Sequence, residues 1–160
     1  MRQLWEVVDF VRSFRRRLRF GEFSRAPLQL LRFELRNEIV QIVEFDWIAR
    51  PVDAWDSTLQ RKVQEEHESL QALADAIAVR NLIFDTFPKI ESAVLRGFRQ
   101  PAREPPEMIV LGTVSREIPD MHRVSSLVMR AKLHGFCFCF EDGFLRPLQQ
   151  VANRSEQVIA

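Results

Sequence analysis

Apolar and polar positions repeat along this chain with two different periods, and the switches between them mark out the elements. Residues 3–19 place Leu4, Val7, Val8, Val11, Phe14 and Leu18 at the i, i+3, i+4, i+7 spacing of one helix face. Arg12, Arg15, Arg16 and Arg19 take the rest of the circumference. Gly21 ends the helix, since it adopts a left-handed cap conformation at little cost. After Pro27 the period falls to two, with Leu31, Phe33 and Leu35 alternating with Arg32, Glu34 and Arg36, as on a half-buried strand. A turn at Asn37-Glu38 leads to a second strand. A plain two-residue hairpin would turn Glu44 and Asp46 toward the core. One extra residue instead aligns Ile39, Val43, Phe45 and Trp47 with the apolar face.

Arg50–Asp56 reads as a loop, and Ser57 with Gln60 forms a capping-box signature. A long helix, about Thr58 to Phe87, then buries Val63, Leu70, Leu73, Ala74, Ile77 and Phe84, and Pro88 closes it. Strand-like segments cover Ile90–Arg99 and Met108–Arg116, joined by the proline-rich loop Gln100–Pro106. A third helix follows Pro119 and Asp120 with the stripe Val124, Leu127, Val128 and Ala131, ending at His134 and Gly135. Phe136, Phe138 and Phe140 share one strand face, and Asp142-Gly143 is a strong hairpin turn into Phe144–Leu148.

The order is helix-strand-strand three times. It predicts a single α+β domain over residues 1–149, with a largely antiparallel sheet built from hairpins and helices packed on one face. Within it, residues 1–27 are a basic amphipathic helix and connector, and residues 28–149 carry the sheet and two further helices. Residues 150–160 read as a flexible tail.

Composition narrows the class. At 160 residues, 46% hydrophobic and 28% charged, the chain is an ordinary globular one. Folding can bury roughly 70% of the unfolded surface at this length, so no disulfide or structural metal is needed. The two cysteines, Cys137 and Cys139, sit two apart on a strand and point the same way, which is poor bridging geometry. A reducing compartment, the cytoplasm, fits them better. At the N-terminus the Arg cluster follows the apolar residues, whereas a secretory signal puts its basic residues first. No stretch approaches the roughly 20 apolar residues that span a bilayer.

The chemistry-bearing signatures are missing. There is no GxGxxG, P-loop, HExxH, CxxC or GxSxG pattern, and five glycines leave little for a phosphate cradle. No catalytic residue, cofactor site or metal site is assigned, and an enzymatic role is not favoured. His134 with the two cysteines lacks the second ligand pair that a zinc site requires. His122 beside Asp120, Ser125 and Ser126 matches what a helix start prefers, and His67 lies among Glu65, Glu66 and Glu68.

Charge is more suggestive. Twenty of the 23 basic residues are arginine, through a binding surface or a codon preference. Residues 1–27 carry seven arginines against Glu6, Asp9 and Glu22, a net +4, which leaves −3 for the remainder. Arg12, Arg15, Arg16, Arg17 and Arg19 are therefore candidate contacts for nucleic acid or another anion. Trp55, in a polar loop, is a candidate anchor for a partner or ligand. Thirteen phenylalanines are generous for one small sheet, and a second subunit is one way to cover such surplus. The favoured expectation is a non-catalytic protein acting through protein–protein interaction as a homodimer. A nucleic-acid-binding module using the Arg-rich helix is the first alternative. A binding protein or enzyme with an aromatic-lined pocket for a small apolar ligand is the second.

Overall fold

A computed structural model describes residues 2–19, 21, 24, 26–37, 41–51, 58–101 and 103–148. Its elements are α1 (Arg2–Arg17), β1 (Gln29–Asn37), β2 (Gln41–Ile48), α2 (Arg61–Thr86), β3 (Ser92–Arg99), β4 (Glu107–Ser115), α3 (Leu127–Leu133), β5 (Phe136–Cys137), β6 (Cys139–Glu141) and β7 (Phe144–Arg146). The first five strands form one sheet in the order β1-β2-β3-β4-β5, and β6 and β7 form a separate hairpin. Every neighbouring pair is antiparallel except β2 and β3. Parallel neighbours need a long crossover, and α2 supplies it. The result is the expected α+β architecture.

Alternation in β1 and β2 decides which residues are covered. Asn37 pairs with Gln41, Leu35 with Val43 and Phe33 with Phe45, so Val43, Phe45 and Trp47 share the core face and Glu44 and Asp46 the other. Glu38 of the expected turn, and Ile39, lie outside the described residues. A bulge sits at the opposite end of β1. Leu30 pairs with Trp47 and Arg32 with Asp46, so Leu31 is skipped. It turns outward and is 47% exposed, contrary to the simple alternation that put it in the core.

Helix α1 docks through a slightly different stripe from the one its spacing suggested. Phe10 is its centre, fully buried, with Phe14 and Leu18, while Val7, Val8 and Val11 are half-buried. The Phe10 ring stacks on Phe33 at 4.7 Å between centroids and meets Phe45 edge-on at 5.8 Å. Helix α2 begins at Arg61. Its N-cap, Gln60, makes no side-chain capping bond, and Ser57 lies outside the described residues. Leu73, Ile77 and Phe84 are buried as expected, but so are Ala72, Ala76, Val79, Leu82 and Ile83. Val63, Leu70 and Ala74 are only half-buried. The buried arc is wide because α1 and α3 flank α2 while it lies on β3 and β4.

The third unit departs furthest from expectation. Helix α3 starts at Leu127, capped by the Ser126 hydroxyl accepting from the Met129 N–H, and not near Asp120. The Asp120 carboxylate instead accepts from the His122 N–H, a local turn that competes with helix. Gly135, at φ 105°, stops the helix. The Phe136–Phe140 strand is split: Phe136 and Cys137 pair with β4, while Phe140 belongs to the β6–β7 hairpin. Positive φ at Asp142 and Gly143 matches the predicted tight turn. The hairpin is docked on the rest of the fold through Leu145, whose N–H donates to Ser69 of α2 at 3.0 Å and whose carbonyl accepts from Arg99 of β3 at 2.9 Å. No described helix is long and apolar enough to cross a membrane.

Candidate functional site: the open face of the sheet

All three helices lie on the side of the sheet carrying Phe33, Phe45, Trp47 and Leu95. Residues one position out of phase look the other way, and no described helix covers them. They are Arg32, Glu34 and Arg36 on β1, Ile42, Glu44, Asp46 and Ile48 on β2, Ser92, Val94, Arg96 and Phe98 on β3, and Leu111 and Thr113 on β4. At its centre is an ion-pair network. Glu44 accepts from Arg32 at 3.0 Å and Arg96 at 3.2 Å, and Arg36 reaches it at 2.9 Å. Asp46 accepts from Arg96 at 3.1 Å, with Arg32 at 3.8 Å. Glu34 pairs with Arg32 and Arg36.

Both central carboxylates are almost out of contact with water, whereas the guanidinium groups stay partly exposed. Burial pushes the Glu44 carboxyl up, but hydrogen bonds from Arg96 and Arg32 and the charge of Arg36 outweigh it, so its pKa falls below the ordinary value. Arg32 is raised by the same bonds, first from Glu34 and then from Glu44. The carboxylates stay charged and occupied. Solvent meets a floor of guanidinium planes bordered by the half-buried Ile42, Ile48, Val94, Phe98 and Leu111. Among the described residues of this face, Glu34, Glu44 and Asp46 are all engaged by arginine.

The basic helix is a separate surface. Arg12, Arg15, Arg16 and Arg17 of α1 are exposed, as is Arg19 just beyond it. Arg17 lies 3.6 Å from Asp85 of α2, and Arg19 is also engaged. Arginines in the last turn complement the negative end of the helix, which gives them a structural role as well. Trp55 lies outside the described residues, and Trp5 is 66% exposed near the start of α1.

Several other arginines are structural, a use neither composition nor spacing suggested. Arg50 is buried, donating to the Leu18 and Ala26 carbonyls at 2.8 and 3.0 Å and to Asp75 at 3.1 Å. It ties the connector after α1 to the middle of α2. Arg80 donates to the Ser115 and Arg116 carbonyls, and Arg116 to those of Phe84, Phe87 and Ile90. One planar fork with five donors serves several separated acceptors at once, a spread that lysine's compact ammonium does not match.

The remaining candidates do not converge. His67 lies on α2, His122 is exposed, and His134 is buried with its Nδ1 unpartnered. Burial and the charges of Arg80 and Arg130 lower the pKa of His134. Cys137 and Cys139 are free thiols in different sheets. Among the described residues no group of three or more His, Cys, Asp or Glu side chains could hold a metal ion. A hollow of about 260 Å³ at the end of β4 is lined, among the described residues, by Glu91, Ser115, Arg116 and Glu117. The aromatics instead stack with one another, Phe10, Phe14, Phe33, Phe45 and Phe87 forming one cluster.

Compared with protein families, curated proteins and solved structures, the chain finds no match.

The charge network was partly legible. Alternation placed Arg32, Glu34 and Arg36 outward, and the register argument kept Glu44 and Asp46 out of the core. Arg96 was missed because its partners are 50 and 52 residues away and reach it only through the β2–β3 pairing.

Proposed function

We propose that this protein acts by binding other protein molecules, without catalysis, and that it does so as a homodimer in the cytoplasm, where both thiols stay reduced. The observation that carries the reading is the one-sided sheet: three helices cover one face, and the other leaves aliphatic and aromatic side chains half-exposed around satisfied ion pairs. Such a face, with its charges paired and its apolar border half-exposed, suits docking. Sedimentation equilibrium on the full chain is expected to give twice its 18.8 kDa mass. A mass of 18.8 kDa at every concentration would exclude the homodimer.

A second reading rests on the exposure of Arg12, Arg15 and Arg16, which together present positive charge on one helix. Binding there is to nucleic-acid phosphates, weak and sequence-independent, with log affinity falling by about 0.9 per contact per log unit of salt on duplex DNA. Gel shifts with unrelated duplexes at low and physiological salt test it. Tight, selective binding lost on neutralising Arg12, Arg15 and Arg16 would place this reading first.

A further inference from the structure

We infer that the occupant of the open sheet face is the same face of a second copy, related by a two-fold axis. The inference rests on the homodimer reading and names its surface.

An isologous contact sets a surface against itself, so a patch of one charge sign repels its own copy. That argues against the exposed side of α1, where Arg12, Arg15, Arg16 and Arg17 are all cationic. The sheet face is balanced. It carries Arg32, Arg36 and Arg96 against Glu34, Glu44 and Asp46, with Glu44 and Asp46 on β2 lying between Arg32, Glu34 and Arg36 on β1 and Arg96 on β3. A two-fold axis running along the strands between β2 and β3 therefore sets Arg96 of each copy opposite the partner's Glu44 and Asp46, whereas an axis over β2 would set carboxylate on carboxylate.

The guanidinium groups have donors to spare. A guanidinium carries five N–H donors. Among the described residues Arg96 donates to Asp46 and Glu44, from Nη1 and Nη2. Its remaining donors and those of Arg36 can reach across without uncovering the acids beneath. The driving force comes from the aliphatic border, Ile42, Val94 and Leu111, which loses its remaining water when two sheets stack roughly 10 Å apart.

Three proteins test this by sedimentation equilibrium: the wild-type chain, Val94→Lys on the open face, and Arg15→Gln/Arg16→Gln on α1 as a control. Thr113→Lys, an exposed change beside Val94 on the same face, stands in if circular dichroism shows Val94→Lys unfolded. The expected result is a wild-type dimer, self-association weakened at least tenfold by the lysine variant, and no loss in the α1 control. A dimer that survives Val94→Lys and Thr113→Lys at wild-type affinity would overturn the face while leaving the homodimer standing. A wild-type chain that is monomeric at all concentrations would remove both.

Discussion

The two sides of this sheet take carboxylates out of water in opposite ways. Behind the covered side, Asp75 sits in the interior of α2 with one arginine, Arg50, at 3.1 Å and the Gln71 amide at 2.8 Å. Burial dominates there. The carboxyl is pushed up to about 6, and Arg50 and Gln71 offset that only in part. On the open side, Glu44 has three arginines around it and a pKa below the ordinary value. The lesson is that donor number and residual water, more than the presence of an ion pair, decide whether a charge is held comfortably.

The largest expected effect breaks the interior pair. Arg50→Ala removes the charge that favours ionised Asp75, leaves that buried carboxyl with the Gln71 amide, and takes the donor away from the Leu18 and Ala26 carbonyls. Losing one partner of a buried pair costs about 3–5 kcal/mol. Urea denaturation measures it. Arg50→Lys is expected to recover only a fraction, because a point charge cannot serve three separated acceptors. A full recovery would reduce Arg50 to its charge alone.

Next comes the packing that the covered face alone demands. A Cβ on Gly97 would lie 2.7 Å from the Trp47 ring, its neighbour across the parallel β2–β3 pair. Trp47 is fully buried and has no room to retreat. Gly97→Ala is expected to cost about 1–3 kcal/mol as an overpacked site. Thr113→Ala, on the open side of adjacent β4, is expected to fall within about 0.5 kcal/mol of wild type. Denaturation midpoints for the two variants compare the faces directly.

What could be read beforehand tracks how local its cause is. The covered face of β2, the Asp142-Gly143 turn and the end of α3 at Gly135 depend on a few adjacent residues, and each is legible in the pattern. Phe10 was hidden because α1 is apolar at so many neighbouring positions that several stripes fit equally well. The buried Gln71, Asp75 and Arg80 were hidden because polar residues on a long helix read as solvated unless their distant partners are known. Leu31 was misplaced because a bulge inverts a strand's alternation without changing its composition.

The third expectation is a pH dependence. The carboxyl of Asp75 has a folded value of about 6 against 3.8 for an unperturbed group, so folding takes up a proton between those values. The stability it contributes is complete below about pH 3.8 and is lost as the pH rises through about 6. Lowering the pH from 7 to 5 therefore gains about 1 kcal/mol from this group. Glu68, raised chiefly by burial, acts in the same direction. His134 acts in the other, since its lowered folded value means stability is lost as the pH falls below its unfolded value. The test is consequently the difference between the wild-type and Asp75→Asn stability profiles, together with a carbon-detected NMR titration of the Asp75 carboxyl. A carboxyl midpoint in the ordinary range near 4 would show that Arg50 and Gln71 suffice, and the contrast with Glu44 would collapse.

The smallest effect is expected where the charges are most numerous. Arg36 is 45% exposed and reaches Glu34 at 3.3 Å and Glu44 at 2.9 Å. Its loss leaves Glu44 still held by Arg32 and Arg96, so no buried charge is orphaned. Exposed pairs are worth about 0.2–1 kcal/mol each, and Arg36→Ala is expected in that range, several-fold below Arg50→Ala. The redundancy has a signature of its own. Removing Arg36 and Arg96 together leaves Glu44 with Arg32 alone, so the double variant should be less stable than the sum of the single changes predicts. Simple additivity in the monomeric chain would mean that each guanidinium acts independently. The carboxylates of the open face would then be held by water as much as by arginine, as the interior carboxylate beside Arg50 cannot be.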